Sequence, residues 1–234
     1  MAGGEVASRL ATARARVEAA CAAAGRPAGS VRVLLATKTQ PAALIREAFE
    51  LPDASGMLRG ENRVQELVAK GPDLADLDVE THLIGPLQSN KVNAALRWVG
   101  CVESVDSVEL GRRLASRLEP GRVLDVMVQV NVSGEATKSG VRPDEALALA
   151  RGLASTEGLS LTGFMTIGAN TPDEQVIRDG YAALRQIRDA AVSEGLADQL
   201  ELSMGMTADL ELAIAEGATI VRLGTAVFGP RPPA

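Results

Sequence analysis

A lysine that follows an apolar run is the residue whose position most favours chemistry. Lys38 lies two residues after the run at residues 31–36 and shortly before Pro41, where a helical pattern begins. The run is typical of a strand buried on both faces, and proline is favoured at a first helical position. Apolar surroundings at such a strand end lower the pKa of an amine, and a neutral amine can form a Schiff base with an aldehyde. The alternative is a lysine that simply extends into solvent.

Glycine and hydroxyl residues near the end of the chain form a second candidate site. Ser203, Gly205 and Thr207 precede a helical pattern, and Gly224 and Thr225 follow the last apolar run. Backbone N–H groups at a helix N-terminus attract anions, and glycine lets a ligand approach the backbone closely. Turn and capping chemistry is the alternative explanation for each loop taken alone. A Schiff-base lysine facing an anion cradle is, however, what pyridoxal 5′-phosphate requires, because its aldehyde and phosphate lie on one ring.

The elements that would position these residues alternate between strand and helix about eight times. The strand candidates lie near residues 31–36, 54–58, 82–84, 101–104, 123–132, 159–166, 199–203 and 218–223. The helix after the second strand begins within GENRVQEL and is expected to stop by Gly71 and Pro72. Eight such units favour a closed (β/α)8 TIM barrel over an open doubly wound sheet, and no GxGxxG fingerprint opens a helix. We predict one α/β domain over residues 1–234, with an extra N-terminal helix at about 5–24 and the barrel at about 31–228.

The ends of the other strands add further candidates for a ligand site. Asn62 follows the second strand, His82 lies in the third, Met165 is at the end of the sixth and Arg222 is at the end of the eighth. Because the strands of a barrel are parallel, their carboxyl ends meet at one rim, where the active sites of such enzymes lie. We therefore expect these side chains to gather around one site.

The composition excludes several classes of function. A net charge of −6 argues against a sequence-independent nucleic-acid surface. No apolar run approaches the ~20 residues of a membrane-spanning helix. One histidine and two cysteines provide neither a zinc cluster nor a disulfide framework, which fits a protein of the reducing cytoplasm.

Seven segments between residues 36 and 229 resemble, in order, the pyridoxal phosphate homeostasis proteins, a barrel family related to the N-terminal domain of alanine racemase. They are ATKTQP, GENRVQEL, HLIGPLQSNK, VNVSGEATKSG, GFMTIG, LSMGMTADLELAI and VRLGTAVFG. The resemblance implies that Lys38 carries the cofactor and that Ser203, Gly205, Gly224 and Thr225 contact its phosphate. It also implies Arg222 near the pyridine nitrogen and Asn62 near the ring. The full set of expected cofactor contacts is Lys38, Asn62, His82, Met165, Ser203, Gly205, Thr207, Arg222, Gly224 and Thr225.

Three positions depart from the pattern of that family. Thr207 stands where serine is usual, which preserves the hydroxyl. Thr81 and Arg59 stand where an aromatic residue commonly precedes the HLIGP and GEN segments. Arg59 leaves the packing beside the second strand open at this point.

The resemblance implies a protein that binds, buffers and delivers pyridoxal phosphate to apo-enzymes without appreciable turnover, and we expect it to be a monomer. The first alternative is a racemase or decarboxylase that uses the cofactor, which needs a second acid or base. The single tyrosine, Tyr181, is expected on a surface helix, and His82 is the best remaining candidate for that role. The second alternative is a Schiff-base aldolase that acts on a sugar phosphate. It needs an acid or base deep in the barrel, and none is evident on the fourth or sixth strand.

Overall fold

The computed structural model describes residues 2–229, which form a closed barrel of eight parallel strands in chain order. The strands are β1 Arg32–Ala36, β2 Leu58–Glu61, β3 Thr81–Leu83, β4 Cys101–Val105, β5 Leu124–Gln129, β6 Leu159–Met165, β7 Glu201–Ser203 and β8 Ile220–Leu223. The helices are α1 Ala2–Ala23, α2 Ala42–Phe49, α3 Val64–Leu74, α4 Val92–Leu96, α5 Val108–Ala115, α6 Ala146–Ala154, α7 Glu174–Ser193, α8 Leu210–Ala215 and α9 Thr225–Phe228. The predicted (β/α)8 barrel with an extra N-terminal helix is confirmed. Within residues 2–229, none of the helices combines the length and the apolar character that a membrane span requires.

Two local predictions around the second strand were wrong. The strand was expected at 54–58, but β2 begins only at Leu58 and contains the Gly60 and Glu61 of the GEN segment. Its sequence, LRGE, has no apolar run, and the strand forms because β1 and β3 pair with it on both sides. Helix α3 continues through Pro72 to Leu74 instead of stopping there. A proline costs one backbone hydrogen bond, and burial of Leu74 against the core outweighs that local preference.

The barrel interior combines an apolar layer with a buried polar group. The apolar side chains come from six of the strands and are Leu34, Leu58, Cys101, Met127, Met165 and Ile220. Alternate residues of a strand point to the same face, so positions two residues away also face inward. Glu103 and Arg222 lie two residues after Cys101 and Ile220, and His82 and Ser203 both contact Glu103. All four polar residues are at most 6% exposed. Ordinary barrels fill this space with branched apolar residues, so a charged interior needs a specific explanation.

The two aromatic positions that depart from the family pattern are neighbours in the sheet. Arg59 of β2 is paired in register with Thr81 of β3. The Arg59 Nε donates a hydrogen bond to the Thr81 hydroxyl at 3.0 Å. Burial lowers the pKa of Arg59, but a guanidinium stays charged at any physiological pH. The arginine and threonine thus replace an apolar contact with a hydrogen-bonded one, which resolves the packing that the sequence left open.

We expect Gly71→Ala to destabilise the protein, because the side chain of Trp98, which follows α4, packs directly against this glycine of α3. A Cβ on Gly71 would lie 2.4 Å from Cδ2 of Trp98. Displacing the Trp98 ring should lower the free energy of unfolding by about 1–3 kcal/mol, which exceeds the stabilisation that alanine gains from its higher helix propensity. Gly4→Ala in α1 is the matched control, since a Cβ there meets nothing within 4 Å. Urea unfolding measures both variants, and equal stability of the two would contradict the close approach.

Candidate functional site

Most of the expected site residues lie at the carboxyl-terminal rim of the barrel. Lys38 follows β1, Asn62 follows β2, and Met165 ends β6. Gly224 follows β8, which pairs with β1. A Cβ on Gly224 would lie only 3.3 Å from the Ala36 carbonyl oxygen, so the two chain segments are in close contact. Barrel closure therefore brings the lysine and one glycine loop to neighbouring positions although they are far apart in sequence.

The turn that carries Lys38 is held on both sides by hydrogen bonds from neighbouring elements. On one side, the Thr37 hydroxyl donates to Glu61 Oε1 at 2.7 Å, and Lys70 Nζ donates to the Thr37 carbonyl oxygen at 2.9 Å. On the other side, the Thr39 N–H donates to Glu66 Oε2 at 2.6 Å. Lys70 also donates to both glutamates, so the two sides are linked. A lysine held in this way has a fixed backbone from which its side chain can act.

Backbone strain marks the same turn. Thr39 has φ 65°, a left-handed conformation that is rare for a β-branched residue. Such a conformation costs on the order of 1–3 kcal/mol and persists only where its surroundings fix it. Burial disfavours ionisation of Glu66, but the hydrogen bonds from Thr39 and Lys70 outweigh it and lower the pKa of this carboxyl. The ionised carboxylate is therefore the group that fixes the strained residue.

Arg222 and Ser203 lie below the rim and bind each other. Arg222 Nη1 donates to the Ser203 hydroxyl at 2.8 Å and to the Ser203 carbonyl oxygen at 2.7 Å. Its Nη2 donates to the Thr166 carbonyl oxygen at 2.6 Å. The Ser203 hydroxyl in turn donates to Glu103 Oε2 at 2.6 Å. This commitment argues against the expected contact between the Ser203 hydroxyl and a phosphate, and it gives Ser203 a role in holding Arg222.

His82 does not reach the rim where the sequence analysis placed it. Its Nδ1 is 2.6 Å from Glu103 Oε1, and its Nε2 is 2.9 Å from Oε1 of Glu80, which precedes β3. Burial opposes the charged imidazolium, but hydrogen bonds with Cys101, Glu103 and Glu80 outweigh it and raise the pKa of His82 to about 12. Burial also opposes the Glu103 carboxylate, yet His82, Arg222 and the Ser203 hydroxyl hold its pKa below the ordinary value. We conclude that His82 and Glu103 form a buried ion pair.

The loop between β7 and α8 has its shape fixed by Asp209. This carboxylate accepts the Met206 N–H at 2.6 Å and the Tyr181 hydroxyl at 2.7 Å. Gly205 in the same loop has φ 90°, and a Cβ there would lie 2.4 Å from the Ala213 Cβ. Arg16 of α1 donates to the Thr207 carbonyl oxygen at 2.8 Å, which holds the loop from outside. The backbone of the expected phosphate segment is therefore fixed without the help of a ligand.

Tyr181 was expected on a surface helix, and this prediction was wrong. Its side chain is fully buried, and burial together with the adjacent Asp209 raises the pKa of the phenol. Tyr181 lies on the buried face of the amphipathic helix α7, so its ring packs into the core. Its buried hydroxyl donates a hydrogen bond to the Asp209 carboxylate. Tyr181 is thus part of the support of the β7–α8 loop.

A cavity of about 1200 Å³ lies at the opposite, amino-terminal end of the barrel. Arg32, Glu80, Asp125 and Glu201 contribute to its wall at or near the starts of strands, and His82 reaches it from the interior. It is separated from the Lys38 turn by the length of the strands, so size alone does not identify the site. The rim carries an amine and two glycine-containing loops, and this chemistry indicates the functional site more strongly than the size of the cavity does.

The interior carboxylate of β4 was not predicted from the sequence. Glu103 is fully buried, and the statement that no acid or base is evident on the fourth strand was wrong. The segment CVESV is otherwise apolar, so a charged residue in the middle of a predicted strand was the available signal. The partners of Glu103 come from β3 and β7, and no short-range pattern predicts them.

Comparison with known proteins agrees with the fold and with the motifs. The family profile of the alanine racemase N-terminal domain matches residues 9–232. A pyridoxal phosphate homeostasis protein of Pseudomonas aeruginosa is 42% identical over 228 residues, which cover 97% of this chain and 96% of that protein. A crystal structure of an unknown protein from Bifidobacterium adolescentis is similar with a TM-score of 0.91 and 43% identity, covering 97% of this chain and 96% of that one. PipY of Synechococcus elongatus, solved with pyridoxal phosphate bound, is similar with a TM-score of 0.80 and 34% identity. The match covers 96% of this chain and 100% of that one.

We expect the His82 ion pair to make stability depend on pH. The folded protein keeps the His82 proton between the ordinary pKa of 6.5 and about 12, whereas the unfolded chain loses it above 6.5. The stabilisation is therefore complete below pH 6.5 and declines as the pH rises, by about 1.4 kcal/mol per pH unit. Urea unfolding of wild type and His82→Gln between pH 6 and 9 measures this slope. Equal slopes for the two proteins would contradict the buried ion pair.

Proposed function

Because the chain belongs to the pyridoxal phosphate homeostasis proteins of the alanine racemase N-terminal domain family, we propose that it binds pyridoxal 5′-phosphate and delivers it to apo-enzymes. The observation that carries this proposal is the contact between the β1 and β8 ends, where the Lys38 turn adjoins Gly224. This is the arrangement that a ligand with an aldehyde and a phosphate on one ring needs. The name of the P. aeruginosa relative and the bound cofactor of PipY support it.

The residues at the rim fit this cofactor. When bound, pyridoxal phosphate supplies an aldehyde that condenses with amines and a ring that withdraws electrons. Lys38 would hold it as a Schiff base, since it is the amine on the rigid turn after β1. Arg222, which can only donate hydrogen bonds, suits an unprotonated ring nitrogen. Asn62 and Met165, at the ends of β2 and β6, would lie beside the ring.

The phosphate would be held mainly by backbone and hydroxyl groups of two loops. Gly224 and Thr225 come from the loop after β8, and Gly205 and Thr207 come from the loop after β7. A side chain at Gly224 would fill the space next to β1, which explains the glycine there. The fixed shape of the β7–α8 loop supports phosphate binding because its N–H groups do not need to reorganise on binding.

The interior chemistry supports a carrier and not a racemase or decarboxylase. Arg222 carries a permanent positive charge, which disfavours protonation of an adjacent ring nitrogen and weakens the ring as an electron acceptor. A second acid or base would have to stand opposite Lys38. The Tyr181 hydroxyl is buried on Asp209, and His82 is paired with two carboxylates away from the rim. The names of the curated relatives likewise describe a homeostasis protein and not an enzyme.

An aldolase acting on a sugar phosphate has one observation in its favour, the deep carboxylate Glu103. Its pKa is lowered, so it stays ionised and cannot act as a proton donor near neutral pH. It is also a poor base, because its two oxygens already accept hydrogen bonds from His82 and Ser203. We assign it a structural charge.

We further propose that residues 1–234 act as one monomeric domain in the cytoplasm. The two cysteines, Cys21 and Cys101, are buried and form no disulfide, which suits a reducing compartment.

We expect borohydride to attach the cofactor permanently to Lys38, because it reduces a Schiff base to a stable amine. Wild type, Lys38→Ala and the control Lys91→Ala are incubated with pyridoxal phosphate, reduced, digested and mapped by mass spectrometry. The label should be on the Lys38 peptide in wild type and in the control, and absent from Lys38→Ala. Lys38→Ala should still bind some cofactor without a covalent bond, because the loops that hold the phosphate are intact. Equal labelling of Lys38→Ala at another lysine would contradict the assignment.

We also expect the loaded protein to transfer its cofactor without transforming amino acids. It is incubated with each common L-amino acid, and the D-isomer, the keto acid and the amine are measured. Turnover near the ordinary enzymatic range of ~1 s⁻¹ or above would overturn the carrier proposal. In the positive arm, an apo-enzyme that depends on pyridoxal phosphate should regain activity when mixed with the loaded protein. Lys38→Ala treated in the same way should restore less activity, since it retains less cofactor.

A further inference from the structure

A row of hydrogen-bonded polar groups crosses the barrel from the rim toward the amino-terminal cavity. It runs from Arg222 through Ser203, Glu103 and His82 to Glu80, with distances between bonded atoms of 2.6–2.9 Å. The first four residues are at most 6% exposed. Among the residues of this row, only Arg222 is a proposed contact of the cofactor.

The direction of the hydrogen bonds within the row depends on Glu103. A guanidinium has only donors, a serine hydroxyl has one proton, and a carboxylate has only acceptors. The Ser203 hydroxyl therefore gives its proton to Glu103 and turns a lone pair toward Arg222. Without the carboxylate, nothing else in the row directs that proton away from Arg222.

Charge balance points to the same residue. Arg222 and His82 are both buried cations, and Glu103 is the buried carboxylate that lies between them in the row. Burial of a cation without an opposite charge is costly, so the position of Arg222 depends on this anion. Glu80 lies on the far side of His82 and is exposed at the cavity, so it does not neutralise Arg222 directly.

We propose that Glu103 is the residue that positions Arg222 for cofactor binding, acting through the Ser203 hydroxyl. This inference rests on the proposed function, because it assumes that Arg222 contacts the pyridine ring. The ring is common to pyridoxal phosphate and pyridoxal, whereas the phosphate belongs only to the first. Loss of Glu103 should therefore weaken the binding of both ligands by similar factors.

The experiment compares three variants with wild type. Glu103→Gln keeps the shape of the side chain but removes its charge, and Ser203→Ala removes the hydroxyl that links it to Arg222. Glu80→Gln is the matched control, because it alters the same histidine from the other side and leaves the bonds from Glu103 to Arg222 intact. Circular dichroism and urea unfolding establish that each variant is folded. The dissociation constants for pyridoxal phosphate and for pyridoxal, and the visible absorbance of the bound cofactor, are then measured.

We expect Glu103→Gln to weaken both ligands about tenfold, which corresponds to ~1.4 kcal/mol, and to change the absorbance of the bound cofactor. Ser203→Ala should shift the same readouts in the same direction, and Glu80→Gln should match wild type. In an Arg222→Gln background, Glu103→Gln should cause no further loss of affinity, since its target is absent.

The outcomes separate the inference from the proposed function. If wild type binds neither ligand, the proposed function fails. If wild type binds both and folded Glu103→Gln has the same affinities and absorbance, only the role of Glu103 is overturned. A loss confined to pyridoxal phosphate would also overturn it, because a role in phosphate binding would then replace the role in ring binding. If Glu103→Gln does not fold, Ser203→Ala decides on the same criteria.

Discussion

The structure depends on the neutralisation of a carboxylate that is completely removed from water. Glu103 lies inside the barrel with His82 on one side and Arg222, through Ser203, on the other. An isolated charge in this place would cost several kcal/mol, so the three ionised groups stabilise one another only as a set. Their mutual positions fix how β3, β4, β7 and β8 face each other in the interior. The orientation of Arg222 follows from this packing.

Much of the fold could be predicted from the sequence because apolar periodicity is a local property. Eight repeats of strand and helix predicted the barrel, and the same pattern placed Lys38 correctly after β1. The pattern failed at β2, where the sequence LRGE becomes a strand only through its two neighbours. It also failed at Tyr181, which was expected at the surface. The tyrosine is buried because its hydroxyl donates a hydrogen bond to the buried carboxylate of Asp209.

The support of the site could not be predicted in the same way. Glu103 and Ser203 are 100 positions apart, and their hydrogen bond exists only because β4 and β7 face each other across the closed barrel. The pair of Arg59 and Thr81 shows the same limit at shorter range. Each residue alone departs from the family pattern, and only the register of β2 with β3 shows that one compensates for the other.

The pairing of β1 with β8 has a consequence for how the protein is made. The ribosome synthesises β1 and Lys38 early, and it synthesises β8 and Gly224 near the end. A growing chain therefore presents the lysine long before the loops that would hold a phosphate have been made. Arg16 of α1 is likewise synthesised long before its hydrogen-bond partners Thr207 and Glu211. The proposed binding site is therefore complete only after the last strand has closed the barrel, and a ligand that needs both loops would bind completed molecules and stabilise them.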